Sequence, residues 1–383
     1  MKRHVITPRT DWIQRANEVG FTYHTSGVQG PRGDGTYWDE SIAYEFTSAE
    51  VDEIEAATEE LHARCLDAVD RVFKDRDLMS RMGIPTDYHD YIQWSWARQD
   101  PSLYGRFDLA YDGKGPPKML EYNADTPTMV IETGLMQWFW LQDSRRGADQ
   151  FNSLHEKFIE RFGEIRIQMP VGERLYFAGY RENAEEHQTC KYLQDLAQQA
   201  GIDSEFIDLE EIGWLGNQFV DLEDRPIKYW FKLYPWEWMF TDDFGKNTKT
   251  DCSGILEPIW KCILSNKGIL PVLWEMFPDH PNLLPGTWTA NAQPTGNYVS
   301  KPMLSREGSN IELYENGCAV EITDGPYYGH RIFQQTAKLF EQDGNHAVVG
   351  SWIVGNKAAG MIIRDTPHLI VQDRSRVVPH WFL

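Results

Sequence analysis

The longest helical pattern in the chain begins at Thr47. Thr47 and Glu50, three residues later, form a capping-box signature, which is typical of a helix N-terminus. Apolar residues then recur at intervals of three, four or seven positions: Val51, Ile54, Leu61, Cys65, Val69, Val72 and Phe73. This stripe predicts an amphipathic helix of about 25 residues, with Glu and Asp on its solvent-exposed face. We interpret its role as structural.

Between Ser102 and Asn123 the pattern changes to strict alternation. It predicts a strand from Tyr104 to Tyr111, a turn rich in Gly and Pro, and a returning strand from Lys118 to Tyr122. Alternation points Phe107 and Leu109 into a core. On the adjacent strands it places polar side chains together, in two pairs that each share a face: Arg106 with Asp108, and Glu121 with Asn123.

Residues 172–207 have the pattern of one β-α-β unit. A strand at 174–178 is followed by a helix from about Ala184, by Gly201 at the position of a helix C-cap, and by a strand at 204–207. Past Tyr229, short strands alternate with loops, and Gly355-Asn356-Lys357 forms a plausible hairpin turn. The predicted strands lie at 229–233, 298–302, 347–354 and 360–364. Strands interleaved with helices predict an α/β or α+β architecture.

Charge and composition narrow the possible functions. The 37 Lys and Arg against 58 Asp and Glu give a net charge of −21, and residues 181–225 hold 12 acidic and 3 basic side chains. A strongly acidic surface repels phosphodiester backbones, which excludes nucleic acid as the main partner. The same negative field attracts cationic small molecules. A 41% hydrophobic and 13% aromatic content is ample for large cores.

The cysteines and the termini favour a reduced, non-membrane setting. Five widely spaced cysteines without a CxxC pair are typical of free thiols: Cys65, Cys190, Cys252, Cys262 and Cys318. No secretory signal is visible after Met1, and no apolar run approaches the roughly 18 residues of a membrane helix. We expect a soluble cytoplasmic protein.

The densest group of chemically capable side chains lies on the predicted hairpin. Asp108, Glu121 and Asn123 offer the oxygen atoms that Mg²⁺ prefers, with Arg106 and Asp125 beside them. Two structural alternatives stay open: Arg106 could form a cross-strand ion pair, and residues 123–127 could form only an Asx-type turn.

A second candidate is the segment 301–310, a strand ending in Lys301 followed by a loop with Ser and Gly. Backbone amides in such a loop can close over phosphates, and Lys267 is another possible phosphate contact. The segment lacks the order of a Walker A motif and could equally be an ordinary loop. Scattered histidines and the absence of a GxSxG elbow give no support to zinc or acyl-enzyme chemistry.

Several motifs, in order, resemble the glutathionylspermidine synthases. Leu120-Glu121-Tyr122-Asn123-Ala124-Asp125-Thr126-Pro127-Thr128, preceded by Arg106-Phe107-Asp108, is similar to the metal-site signature of that family. Similar segments follow at 257–260, at 266–271 and at 301–311, and the resemblance runs from about Asp11 to the C-terminus. Within that family, the chain resembles the stand-alone bacterial acid–amine ligases, which lack an amidase domain.

The resemblance implies a permuted ATP-grasp fold of class α/β (α+β), with an inserted β-α-β, pre-ATP-grasp-like substrate domain. It divides the chain into a mainly helical region (1–95), a first ATP-grasp part with the metal-binding hairpin (96–170), the substrate domain (171–245) and the ATP-grasp remainder with the nucleotide site (246–383).

The resemblance also implies the site residues. Two Mg²⁺ ions are assigned to Asp108, Glu121 and Asn123, with Glu121 bridging them. ATP is assigned to Arg106, Asp108, Lys267, Lys301, Gln334, Gln335, Leu369, Ile370 and Val371. Arg106 and Arg364 are assigned to the reacting carboxyl and phosphate groups. The glutathione-like acid is assigned to Thr126, Thr128, Glu185 and Glu186. Both threonines replace the usual serines of the family, and Val348 stands where a polar residue is expected.

The implied activity is ATP-dependent formation of an amide through an acyl phosphate, releasing ADP and phosphate. The acid would resemble glutathione and the amine a polyamine. The alternatives are a non-catalytic ATP-grasp protein that binds nucleotide or polyamine, a kinase-like enzyme, and a ligase for two amino acids. Glu185 and Glu186 could also be only the acidic first turn of a helix.

Overall fold

The computed structural model describes residues 1–25, 36–250, 253–292, 294–373 and 375–383. The α-helices are α1 Trp12–Glu18, α2 Ser48–Val72, α3 Arg76–Arg81, α4 His89–Ala97, α5 Gln137–Ser144, α6 Leu154–Gln168, α7 Ala184–Gln199, α8 Trp236–Met239, α9 Cys262–Ser265 and α10 Ile269–Met276. A π-helix spans Glu132–Met136, and short 3₁₀ helices lie at Thr86–Tyr88, Leu209–Glu211, Gly245–Lys249, Ile259–Lys261 and Ala290–Ala292.

The strands are β1 Lys2–Val5, β2 Ile42–Phe46, β3 Tyr104–Ala110, β4 Lys118–Asn123, β5 Leu175–Gly179, β6 Ser204–Asp208, β7 Gly213–Leu215, β8 Gln218–Val220, β9 Tyr229–Lys232, β10 Gly254–Leu256, β11 Gly286–Thr287, β12 Tyr298–Pro302, β13 Glu312–Glu315, β14 Cys318–Ile322, β15 Arg331–Gln335, β16 Phe340–Gln342, β17 Asn345–Val354, β18 Lys357–Thr366, β19 Arg376–Val378 and β20 His380–Phe382.

A six-stranded antiparallel sheet forms the centre of the molecule. Its order is β19-β18-β17-β3-β4, and β16 pairs with β17 outside that order. The predicted hairpin is therefore confirmed as β3 and β4, and it is joined to the predicted strand pair β17 and β18, whose turn is Gly355-Asn356. Phe107 and Leu109 are fully buried, as the alternation predicts.

The β-α-β unit is also confirmed. Parallel strands β5 and β6 are connected by α7, and they belong to a four-stranded sheet in the order β10-β9-β5-β6. Gly201, with φ +83°, follows the C-cap of α7 as expected. At the other end of the helix, the Asn183 side chain accepts hydrogen bonds from the backbone amides of Glu185 and Glu186, which fixes the first turn.

A five-stranded antiparallel sheet in the order β11-β15-β12-β13-β14 carries Lys301 and Gln334 on adjacent strands. The long helix α2 has the predicted capping box between Thr47 and Glu50, and its apolar stripe packs into the largest core cluster together with the hairpin. Near the two ends of the chain, β1, β2 and β20 form a small sheet.

Two further expectations concern the cysteines and membranes. Cys65, Cys190, Cys262 and Cys318 are free thiols, and Cys252 lies outside the described residues. Along the part of the chain that the structure describes, no helix has both the length and the apolar composition needed to cross a bilayer.

Candidate active site

A single cleft of about 310 Å³ gathers nearly all of the predicted site residues. It lies between the central sheet, the five-stranded sheet and the start of α7. The predicted residues along its walls are Arg106, Asp108, Glu121, Asn123, Thr126, Thr128, Glu185, Glu186, Lys301, Gln334, Gln335, Arg364, Leu369, Ile370 and Val371. Lys267 instead lines a small adjoining recess that it shares with Glu121 and Asn123.

The hairpin register sets the oxygen donors side by side. Asp108 pairs with Glu121 and Arg106 pairs with Asn123, and a β-bulge follows Asp108. The Asn123 amide nitrogen donates to Glu121 Oε1 at 3.4 Å. Among the described residues no group of three carboxylate, imidazole or thiol side chains could hold a metal, but two carboxylates and one amide oxygen form a hard donor set that fits Mg²⁺.

Two lysines from distant segments surround Glu121. Lys267 Nζ lies 3.1 Å from Glu121 Oε2, and Lys267 also donates to the Ser305 carbonyl oxygen. Burial opposes ionisation of Glu121, but the positive charges of Lys267 and Lys301 outweigh it and lower the pKa of Glu121 to about 2. The carboxylate is therefore ionised throughout the neutral range, as a metal ligand must be.

Lys301 is held in place by oxygen atoms of both sheets. Its Nζ donates to the Leu120 carbonyl oxygen at 3.0 Å and to Gln334 Oε1 at 2.9 Å, while Gln334 Nε2 donates to the Met119 carbonyl oxygen. Burial lowers the pKa of Lys301 to about 8, although Glu121 opposes the shift. An anion in the cleft would favour the charged form of this lysine.

The two predicted arginines reach the cleft from β3 and β18, the strands on either side of β17. Arg106 Nε lies 2.9 Å from Asp108 Oδ1 and its Nη1 donates to the Thr128 carbonyl oxygen, so Arg106 does form an ion pair, but within β3 and not across the strands. Arg364 Nη2 donates to the Gln372 carbonyl oxygen, but its buried Nε has no described partner. An unpaired buried guanidinium N–H in a cleft is suited to an anionic ligand.

The Ser/Gly loop after β12 folds over one end of the cleft. Gly308 has φ +68°, and a Cβ at this position would lie 2.1 Å from the Val371 carbonyl oxygen. Only glycine therefore allows the loop to touch residues 369–371 so closely. This contact brings together two segments that the sequence assigned separately to nucleotide binding.

Arg306, on the same loop, is a site residue that the sequence interpretation did not select. Its Nη1 donates to Thr126 Oγ1 at 2.9 Å, and its Nη2 lies 2.7 Å from Glu237 Oε1. The guanidinium also lies 5.4 Å from the centre of the Trp238 ring. The one signal available in the sequence is a charged residue in a Ser/Gly loop, because Glu237 and Trp238 lie far away in the chain, in helix α8.

The acidic first turn of α7 forms another wall. Glu186 accepts hydrogen bonds from the Tyr180 backbone amide and from the Asn183 side chain. Burial raises the pKa of both Glu185 and Glu186. The helix-capping interpretation is thus correct for the backbone, while both side chains also line the cleft.

Comparison with known proteins identifies the family. The family model described as glutathionylspermidine synthase preATP-grasp matches residues 3–383. The chain belongs to this family. A Haemophilus influenzae protein named as a candidate acid–amine ligase is 38% identical over 408 residues, covering 100% of both chains.

More distant members of the glutathionylspermidine synthase family are larger proteins. The bifunctional glutathionylspermidine synthetase/amidase of Escherichia coli is 28% identical over 367 residues, covering 88% of this chain and 58% of that protein. The trypanothione synthetase of Crithidia fasciculata is 27% identical over 342 residues, covering 81% and 52%. The chain therefore spans little more than half of these two relatives.

A solved structure supports the same fold. A glutathione synthetase-like effector of Globodera pallida has a TM-score of 0.56 with 10% sequence identity, covering 99% of this chain and 98% of that chain. At this identity the likeness concerns the fold alone. The predicted α/β ATP-grasp fold and the assignment to the carbon–nitrogen ligases are confirmed, whereas the domain limits and the role of each site residue stay predictions.

Proposed function

We propose that the protein joins a carboxylic acid to an amine at the expense of ATP, through an acyl phosphate, and releases ADP and phosphate. The observation that carries this proposal is the convergence of three oxygen donors, two lysines and two arginines from five separate segments, in one cleft and its adjoining recess, in a chain of a ligase family. Phosphoryl transfer to a carboxylate requires such charge neutralisation and positioning.

Each set of residues has a part in this chemistry. Asp108, Glu121 and Asn123 would hold Mg²⁺, which, when bound, neutralises phosphate charge and orients the transferred group. Lys267 and Lys301 bind phosphate oxygens. Gln334, Gln335 and residues 369–371 line the cleft where the nucleotide base would lie. We infer two ions from the resemblance to the family.

The arginines serve the acyl group. The substrate carboxylate attacks the terminal phosphorus of ATP, and the acyl phosphate then accepts the amine at its carbonyl carbon. Arg106 and Arg364 offer fixed positive charge for the carboxylate and for the oxyanion that develops during the attack. Arg364 has the free N–H for this role, whereas Arg106 already bonds Asp108 and the Thr128 carbonyl oxygen.

The names of the relatives suggest the substrate classes. We infer a glutathione-like acid bound near Thr126, Thr128, Glu185 and Glu186, and a polyamine-like amine drawn by the negative charge of the protein. The two threonines add a methyl group where family members usually have serines, so the acid would differ from glutathione in shape at this point.

The test measures ADP release with Mg²⁺ and ATP across a matrix of acids and amines, beginning with glutathione and spermidine, and determines each product by mass. We expect release only when one acid and one amine are both present, with a product equal to their sum less one water. Release with a single substrate and a phosphorylated product would indicate a kinase. ATP binding without release would indicate a nucleotide-binding protein.

A further inference from the structure

A buried carboxyl group lies behind the wall of the cleft. Glu132 begins the π-helix Glu132–Met136, and its side chain is fully buried. Glu132 Oε1 accepts a hydrogen bond from the Tyr37 hydroxyl at 2.9 Å, and the buried Tyr23 hydroxyl also interacts with the carboxyl, but Oε2 has no described donor in hydrogen-bonding geometry. Buried carboxyl groups that serve only structure normally have both oxygens satisfied, and π-helices are frequent at functional sites.

No described cation forms an ion pair with this carboxyl. The titratable groups that act on it are Tyr23 and Tyr37 from the N-terminal segment and Glu185 from α7, and Arg364 of β18 acts on Tyr37 and Glu185. Burial raises the pKa of Glu132 to about 7, and the charge of Glu185 adds to the shift. Glu132 therefore changes protonation state near neutral pH.

Tyr37 connects this carboxyl to the reacting end of the cleft. The Tyr37 side chain lines the cleft, and its hydroxyl interacts electrostatically with Arg364 and with Arg106. A path of hydrogen-bonding groups thus leads from the space beside the two arginines, through the Tyr37 hydroxyl, to Glu132.

We propose that Glu132, acting through the Tyr37 hydroxyl, accepts the proton that the ammonium group of the substrate must lose before it can attack. The ammonium nitrogen gives one proton to the Tyr37 oxygen, and the Tyr37 proton passes to Glu132 Oε1, which leaves a neutral amine. The amine then forms the carbon–nitrogen bond, and the carbon–oxygen bond to phosphate breaks with its electron pair on phosphate. The departing phosphate takes the second nitrogen proton.

This inference rests on the proposed ligase function and adds a proton acceptor to it. Of the other carboxylates near the two arginines, Asp108 pairs with Arg106 and Glu121 with Lys267, and Glu185 is the one that the proposed function assigns to the acid substrate. Among the described residues of the cleft wall and its backing, Glu132 combines a free carboxylate oxygen with a hydrogen-bonded link to the cleft. A proton acceptor works best when its pKa lies near the operating pH.

The experiment compares two nucleophiles in the same enzyme. Spermidine reaches the cleft as an ammonium, whereas hydroxylamine is already neutral at pH 7 and traps the acyl phosphate as a hydroxamate without prior deprotonation. In the Glu132→Gln variant we expect amide formation with spermidine to fall roughly 10²-fold at pH 7, while hydroxamate formation stays at the wild-type rate. Glu160→Gln, an exposed change on α6, is the matched control and should alter neither rate.

Two further measurements distinguish a role in proton transfer from a structural role of Glu132. Tyr37→Phe should reproduce the selective loss, and the double variant should be no slower than either single variant, because both residues serve one path. Amide formation by Glu132→Gln should recover as the pH approaches the pKa of the free amine. The melting temperature should not fall, since an amide carries no buried charge.

Equal losses with spermidine and hydroxylamine in Glu132→Gln would overturn the proposal, and so would unchanged rates with both. A multiplicative loss in the double variant would also overturn it. These outcomes leave the wild-type enzyme active, so they are distinct from failure of the proposed function, in which the wild-type protein itself forms neither amide nor hydroxamate.

Discussion

At the scale of single residues, Glu121 is the side chain on which the phosphate end of the cleft depends. It pairs with Asp108 across the hairpin, and the positive charges of Lys267 and Lys301 stabilise its carboxylate. We expect Glu121→Gln to lower ligase turnover by about 10²- to 10³-fold, because a neutral amide gives up the several kcal/mol that a carboxylate contributes to metal binding. Steady-state ADP release at saturating magnesium measures the loss.

The matched control for that change is Glu55→Gln. Glu55 is exposed on α2, so its substitution makes the same change in net charge without touching the cleft. Both variants should unfold at the wild-type temperature within a few degrees. Full activity of Glu121→Gln would show that this carboxylate holds no metal.

Arg364 offers a second test at this scale. Its Nε is buried and without a described partner, which suits it to the acyl group rather than to the nucleotide. We expect Arg364→Ala to keep its affinity for ATP and to lose product formation. Equilibrium binding of ATP and amide formation should therefore separate in this variant. Loss of ATP binding with normal turnover at saturation would place Arg364 in the nucleotide site instead.

The residues that the sequence interpretation missed have weak local signals. Glu132 is a single acidic residue within the apolar run 129–136, which is the one feature that could have marked it. Tyr37 lies in a segment without periodicity. Its pairing with Glu132 joins positions 95 residues apart, and no local pattern encodes such a contact. Lys267 was found by resemblance, since pattern alone does not distinguish it from a surface lysine.

At the scale of elements, the loop after β12 depends on one glycine. In Gly308→Ala the new Cβ would meet the Val371 carbonyl oxygen, so the loop must move away from residues 369–371. We expect roughly tenfold weaker ATP binding, which corresponds to about 1.4 kcal/mol. Calorimetric titration of the wild-type protein and the variant with ATP measures this difference in Kd.

Gly317→Ala is the control for backbone strain alone. Gly317 also has positive φ, at +78°, but nothing lies within 4 Å of the position of its Cβ. It should lose about 1 kcal/mol of stability and bind ATP normally. Equal ATP affinities of the two variants would contradict the role assigned to the close contact.

Strand β20 carries a buried histidine that should make stability depend on pH. His380 Nε2 accepts from the Phe151 backbone amide, and its Nδ1 lies 3.0 Å from Gln137 Oε1, so the neutral ring satisfies both nitrogens. Burial lowers the pKa of His380 to about 3. The unfolded chain, with an ordinary histidine pKa, binds the proton first as the pH falls, so stability is lost below about pH 6.5.

The expected size of this effect is about 2 kcal/mol between pH 7 and pH 5. Urea unfolding at the two pH values measures it in the wild-type protein and in His380→Asn. Because the substitution itself changes the stability, the quantity compared is the difference in unfolding free energy between the two pH values in each protein. A pH difference in His380→Asn as large as in the wild-type protein would show that His380 is not the source.

Elements with strong local patterns were predicted well. The capping box and stripe of α2, the β3–β4 hairpin and the β5-α7-β6 unit all follow from spacing within one segment. The sheet of β1, β2 and β20 could not be predicted, because it pairs strands from opposite ends of the chain. The buried ion pair of Arg3, on β1, with Asp365 joins equally distant parts of the chain, whereas Arg376 contacts Asp365 across the adjacent strands β18 and β19.

At the scale of the whole molecule, the order of strands in the central sheet explains why the cleft exists. β3 and β4 come early in the chain, yet β3 pairs with β17 from near its end. Because β17 also pairs with β18, Arg106 and Arg364 line the same cleft, although the sequence predicts their strands separately. Alternation predicts each strand and the face of each side chain, but the neighbour of a strand depends on the packing of the entire chain.

The net charge of −21 gives a prediction for the amine at the same scale. A negative protein concentrates polycations near its surface, and salt screens this field. When the ionic strength rises from about 0.01 M to about 0.15 M, the screening length falls from roughly 30 Å to roughly 8 Å. We expect the KM for spermidine to rise several-fold over this range, with little change in kcat. The KM for a monoamine substrate should rise less, because its single charge interacts more weakly with the field. Equal salt dependence for both amines would show that the charge of the protein does not attract the substrate.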